Sequence, residues 1–120
     1  MERVYFKVHK GKSILVQDLT GLEDVKASIA IFDRTQGLIL KELPKSVRLL
    51  TNITNAHYDH EGVEHMKKFS MKVTPHIKAS AVVGVQGVRK IVVQTLILLT
   101  GREIVLRNSM QEALDWLADQ

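Results

Sequence analysis

The chain has 120 residues, 45% of them hydrophobic and 25% charged, which suits one globular domain and is too little for two independent cores. It contains no cysteine, which excludes a disulfide framework, a thiolate zinc site and a cysteine nucleophile. The net charge of +4 is dispersed among interleaved acids, and the aromatic residues are few and scattered, so neither a phosphate track nor a stacking platform for nucleic acid is expected.

The N-terminal residues Met1-Glu-Arg-Val-Tyr-Phe-Lys7 lack the apolar core of a signal peptide. The longest apolar stretch, from Ile91 to Leu99, is broken by Gln94 and Thr95. It is about half of the roughly 20 residues that a membrane span requires. The expectation is a soluble, cytoplasmic protein without stable membrane insertion.

In chain order, Arg3 to Val8 alternates Val4, Phe6 and Val8 with Tyr5 and Lys7, the period of a half-buried strand. His9-Lys10-Gly11-Lys12 is a turn, and Ser13 to Leu19 returns antiparallel as the second arm of a hairpin. From Leu22 the apolar spacing becomes three or four residues (Val25, Ile29, Phe32, Gln36, Ile39, Leu43), which predicts a helix over 22–43, capped by Thr20 or Gly21 and stopped by Pro44. Gly37 weakens that helix and allows a kink or an early end. Val47 to Ile53 is the next strand, and His60 to Val73 is a second helix with Asp59 as its N-cap and Thr74-Pro75 as its stop.

Ala79 to Val83 is a run of small and β-branched residues, as in a central strand buried on both faces. Gly84 and Gly87 form a tight turn into Val88–Leu99, a helix apolar on almost every side. A helix of that kind is sandwiched in a core or hides one face against a partner. Gly101 caps it, Glu103 to Leu106 is the last strand, and Ser109 to Ala118 is an amphipathic helix with a Ser109/Glu112 capping box. The order is ββαβαβαβα. It predicts an α/β fold: an N-terminal β-hairpin, then alternating elements, forming a mostly parallel mixed five-stranded sheet with about four helices.

Three segments carry a family resemblance: Leu15-Val-Gln-Asp-Leu-Thr-Gly21, Lys78-Ala-Ser-Ala-Val-Val-Gly-Val-Gln-Gly87 and Leu99-Thr-Gly-Arg-Glu-Ile-Val105. With the terminal Glu112-Ala-Leu-Asp-Trp-Leu117, the chain resembles the STAS superfamily of anti-sigma-factor antagonists across residues 1–120. It is most similar to uncharacterised stand-alone bacterial proteins described as STAS/SEC-type or CRAL-TRIO-like. The resemblance implies a single STAS-like domain that regulates or docks proteins without catalysis. Its CRAL-TRIO-like side implies a small carrier or sensor of a lipid-like molecule. The family's Asp-Ser-Ser-Gly phosphorylation turn finds its counterpart in Asp59-His60-Glu61-Gly62, which keeps the outer pair and has lost both serines. Glu61 puts a permanent negative charge there, so any surviving phosphate regulation is expected at Thr54 or Thr20.

The strand ends bring Asp18 and Thr20, Thr54, His57 and Asp59, and Gln86, Gly87 and Arg89 toward one edge of the sheet, the place where open α/β sheets bind ligands or partners. Gly84-Val-Gln-Gly87 with Arg89 and Lys90 offers helix-start amides for an anion, although two glycines also serve a simple tight turn. His60/Glu64 and Glu61/His65 are spaced as i,i+4 pairs, which explains them as solvated charge pairs rather than metal ligands. No nucleophile elbow or supported acid/base pair is present, so no catalytic residue, metal or other cofactor is assigned. Val93 and Ile97 are expected on an apolar interface. The residues thus leave three readings: an interaction module that docks another protein or itself as a homodimer, a binder of a hydrophobic small molecule, or a binder of a phosphate-bearing ligand at Gly87–Arg89.

Overall fold

The computed structural model describes residues 2–120. Strands β1 (Val4–His9) and β2 (Lys12–Asp18) form an antiparallel hairpin, followed by α1 (Val25–Ile39), β3 (Val47–Asn52), α2 (His60–Val73), β4 (Ile77–Val83), α3 (Arg89–Thr100), β5 (Val105–Arg107) and α4 (Met110–Ala118). The sheet order is β1-β2-β3-β4-β5, with every pair after the hairpin parallel. The predicted fold class is the observed one. The hairpin turns on Lys10 and Gly11, both at positive φ (51° and 78°), whose twist matches that of the two strands.

Strand alternation divides the core in two. Leu15, Leu49 and Ile53 face α1, α2 and α3 together with Phe32, Phe69 and Leu96. Ile14, Val16, Leu50, Ala79, Ala81 and Val83 face the other way, onto Ala113, Leu114 and Leu117 of α4. The middle strand is therefore β3, whereas β4, the expected centre, lies between β3 and the three-residue β5.

Helix α1 is shorter than its periodicity predicts. Its cap is Asp24, whose side chain accepts from the Lys26 amide, and not Thr20 or Gly21. Those residues are tied elsewhere: the Gly21 amide donates to the Thr54 carbonyl (2.9 Å) and the His57 amide to the Leu22 carbonyl (2.7 Å). At the other end the chain leaves the helix after Ile39 through short turns, and Leu43 is exposed. Gly37 lies inside the helix without ending it. The last strand begins at Val105 rather than Glu103, because pairing with β4 starts at Ala81 and Val105.

The hairpin is also fastened to α4. His9 Nε2 lies 2.7 Å from Asp115 Oδ1, and Lys10 Nζ lies 3.3 Å from the same oxygen. The His9 contact first, then Gln111 and Lys10, holds the Asp115 carboxyl down at about 2, from an ordinary 3.8. A carboxyl lowered on folding contributes stability that is present above its unfolded pKa and is lost as pH falls through its folded one. Asp115→Asn is expected to lower the thermal midpoint slightly at neutral pH, as suits an exposed pair, and the difference from wild type should vanish near pH 2. Melting curves across that range check the sign.

Candidate functional site

The C-terminal ends of β2, β3 and β4 meet as expected, but their polar groups are bound to one another. Asp18 accepts from the Thr20 amide (2.9 Å), and Asn52 Oδ1 accepts from both the amide and the hydroxyl of Thr54 (3.1 and 2.7 Å). The Arg89 guanidinium donates to the carbonyls of Ile53 (3.4 Å) and Ala56, and stacks 5.1 Å over the Tyr58 ring. His57 is exposed in an open hollow shared with Glu23, Asn55 and Arg89, while Gln86 and Gly87 form the exposed tip of the β4–α3 turn.

That turn uses three of the helix-start amides itself. The amides of Arg89, Lys90 and Ile91 donate to the carbonyls of Gln86, Gly87 and Val88 at 3.2, 3.1 and 3.0 Å, so they are occupied within the turn itself. Asp59 and Gly62 belong to a helix cap: Asp59 Oδ1 accepts from the Gly62 amide at 2.8 Å, and His60 and Glu61 project from the first turn of α2 as exposed residues. The i,i+4 pairs are also replaced. His65 Nε2 reaches Asp33 Oδ1 on α1 (2.7 Å), and Glu64 lies 3.6 Å from Lys67.

Val93 and Ile97, expected on an exposed apolar side of α3, face inward. Val93 is 5% exposed and lies in the core, and Ile97 packs half-buried against it. The outward residues are Val88, Ile91, Leu98 and Leu99, with Leu98 86% exposed. Between Ile91 and Leu99 only Gln94 and Thr95 are polar, too narrow a polar face for spacing alone to settle which side faces the sheet.

The most enclosed site lies elsewhere, between the sheet and the three helices. A cavity of about 50 Å3 is bounded below by Gln17, Leu49, Thr51, Ser80 and Val82. Phe32, Met66, Phe69, Val92, Val93 and Leu96 cover it from the helices. Tyr58 and Arg102 reach it from loops. Register explains the floor: Gln17 pairs with Thr51 and Thr51 with Val82, while Leu49 pairs with Ser80 in the adjacent row. All of these point to the same face because they alternate with the α4-facing residues.

The polar groups here are unusual for a core. Gln17 is 1% exposed; its Nε2 donates to Thr51 Oγ1 (2.9 Å), and its Oε1 has no partner. The side chain of Arg102 donates through Nε to Thr74 Oγ1 (3.2 Å) and through one terminal nitrogen to Ser80 Oγ. Among the described residues no carboxylate lies within ion-pair distance of it. Burial disfavours its charge and lowers its pKa from 12.5 to about 10, which leaves it a cation at neutral pH. Burial likewise raises the Tyr58 hydroxyl to about 12, against the opposing pull of Arg89, so it stays protonated. None of Gln17, Thr51, Ser80 and Arg102 was expected as a site residue. The available signal was one polar residue among the inward positions of each strand, in Leu15-Val-Gln17, Leu49-Leu-Thr51 and Ala79-Ser80.

No protein-family model and no curated protein matches the chain. A solved structure does. It is an uncharacterised DUF3478-family protein with a SpoIIAA-like fold from Shewanella loihica PV-4, and it superposes with a TM-score of 0.76, covering 95% of this chain and 91% of that one. This chain has a SpoIIAA-like fold. At 15% identity the likeness shows the fold alone. The SpoIIAA-like arrangement, which is also STAS-like, agrees with the resemblance carried by the sequence. It leaves the contents of the cavity to be argued from this chain's own side chains. No helix among the described residues is long and apolar enough to cross a membrane.

Proposed function

We propose that the protein is a non-enzymatic STAS-type module that works by binding, and that its ligand is a small, largely apolar molecule held between the sheet and α1–α3. The supporting observation is a core cavity with apolar walls and a few convergent polar groups, the composition typical of small-molecule sites. A domain of this size gains stability by filling its core, so a void bordered by the buried Gln17 and Ser80 and the half-buried Thr51 and Arg102 is a cost that a ligand offsets. The cavity as it stands holds roughly three waters, against the roughly 150 Å3 that accommodates benzene. The ligand is therefore small, or α3 moves outward to admit it.

Native mass spectrometry of freshly purified protein, followed by organic extraction, tests this reading. A stoichiometric adduct that extracts as a small apolar molecule is the expected result. Bare monomer that also fails to take up added apolar ligands overturns it.

A second reading is favoured by α3. Val88, Ile91, Thr95 and Leu98 recur at spacings of three and four on its exposed side, and no charged residue occurs from Ile91 to Thr100. A neutral stripe of that kind suits a second copy of this chain across a two-fold axis. In this reading the protein is a regulatory interaction module that acts as a homodimer. A bare dimer in the same spectra would support it over the ligand reading.

A further inference from the structure

We infer that the cavity takes a small monocarboxylic acid, with the carboxylate on Arg102 and the hydrocarbon tail among the aromatic and aliphatic side chains under α3. This rests on the ligand-binding reading above and specifies its chemistry. The argument is a hydrogen-bond balance. Ser80 Oγ and Thr51 Oγ1 each accept a bond, from Arg102 and Gln17 respectively, so each keeps its own hydroxyl proton to donate. Among the described residues neither proton has an acceptor, and the second terminal nitrogen of Arg102 has no partner either. The site therefore offers an excess of donors around a cation without a counter-charge.

Water in the cavity would accept some of these bonds but would leave the half-buried Arg102 charge without a partner of opposite sign. A carboxylate supplies both the charge and two acceptor oxygens in the geometry that a guanidinium matches. A dianion such as phosphate would bring a second charge that no other cation in the cavity meets, and it would place that charge against Phe69 and Leu96. Gln17 Oε1 is the one acceptor left open. Rotation of its amide lets Oε1 accept the Thr51 hydroxyl proton and frees Nε2 as a donor in its place, so the number of spare donors is unchanged and Gln17 serves either an acid or its anion.

The test is calorimetric titration with butyrate and hexanoate against 1-butanol and 1-hexanol at neutral pH, using the wild-type protein and Arg102→Met. The acids are expected to bind wild type at least about tenfold more tightly than the matched alcohols, the value of one buried charge-assisted bond. Arg102→Met should erase that preference while still binding the alcohols. Equal binding of acids and alcohols by wild type overturns the carboxylate inference and leaves the ligand-binding reading standing. If acids, alcohols and benzene all fail to bind, the ligand-binding reading falls with it. Should Arg102→Met not fold, the guanidinium resonance of Arg102 in wild type gives the answer directly. It should move on adding butyrate and stay still on adding 1-butanol, and the absence of that difference counts against the inference.

Discussion

Gly84→Ala is expected to remove about 3–5 kcal/mol of stability, combining a strained backbone with an overpacked contact. Gly84 has a φ of +90°, which L side chains rarely adopt. A Cβ there would also sit 2.5 Å from the Thr54 amide nitrogen and 2.7 Å from its Cα, in addition to meeting the Thr54 hydroxyl. The obstacle is mostly backbone, so no rotamer change relieves it. Thr54 in turn cannot withdraw easily, because its amide and hydroxyl are bound to Asn52 and its carbonyl accepts from Gly21. Urea unfolding of the variant measures the effect, and a loss below about 1 kcal/mol would mean that the loops part readily.

Phe69→Ala is the second large effect, with an expected cost of about 3–5 kcal/mol. Phe69 is 3% exposed, its ring lies 5.1 Å from that of Phe32, and it forms part of the cavity wall. Truncation therefore enlarges a void that already exists rather than opening an isolated one. The variant should bind benzene, and ligand at 100 times its Kd should restore roughly 2.7 kcal/mol. Thermal melts with and without benzene check both parts. A variant that loses stability without gaining benzene affinity would show that the wall collapses into the space.

The two effects fall on features of different visibility in the sequence. The positions of Gly84 and Gly87 beyond a β-branched run already marked a tight turn, and the hairpin, Asp59, Gly101 and Ser109 were each legible from local chemistry. In every case a side chain or a glycine satisfies its own neighbours, as with the Ser109 hydroxyl accepting from the Glu112 amide (3.1 Å). What local chemistry does not carry is the partner of a group that reaches across the fold. Thr20 and Gly21 resemble a helix cap until β3 is placed beside them. Arg89 resembles an anion ligand until the Ile53 and Ala56 carbonyls are seen to surround it.

The cavity was illegible for the same reason. Gln17, Thr51, Ser80 and Arg102 come from four segments, and their meeting depends on parallel register, which no spacing within a segment encodes. Val93 is a different failure. Its helix is apolar around most of its circumference, so the inward side is chosen by shape: Val93 and Leu96 fit over the sheet, and Leu98 does not.

The sheet order follows the sequence order, and the crossover helices α1, α2 and α3 all cover one side. During synthesis each new strand therefore finds its neighbour already made, and that side can be completed as the chain lengthens. The opposite side has no such schedule. Ile14, Val16, Leu50 and Ala81 wait for Leu114 and Leu117, about one hundred positions after the first of them. Until α4 emerges, the nascent protein presents a bare, flat apolar sheet face. The interval between β4 and α4 is when that face is most open to misassociation.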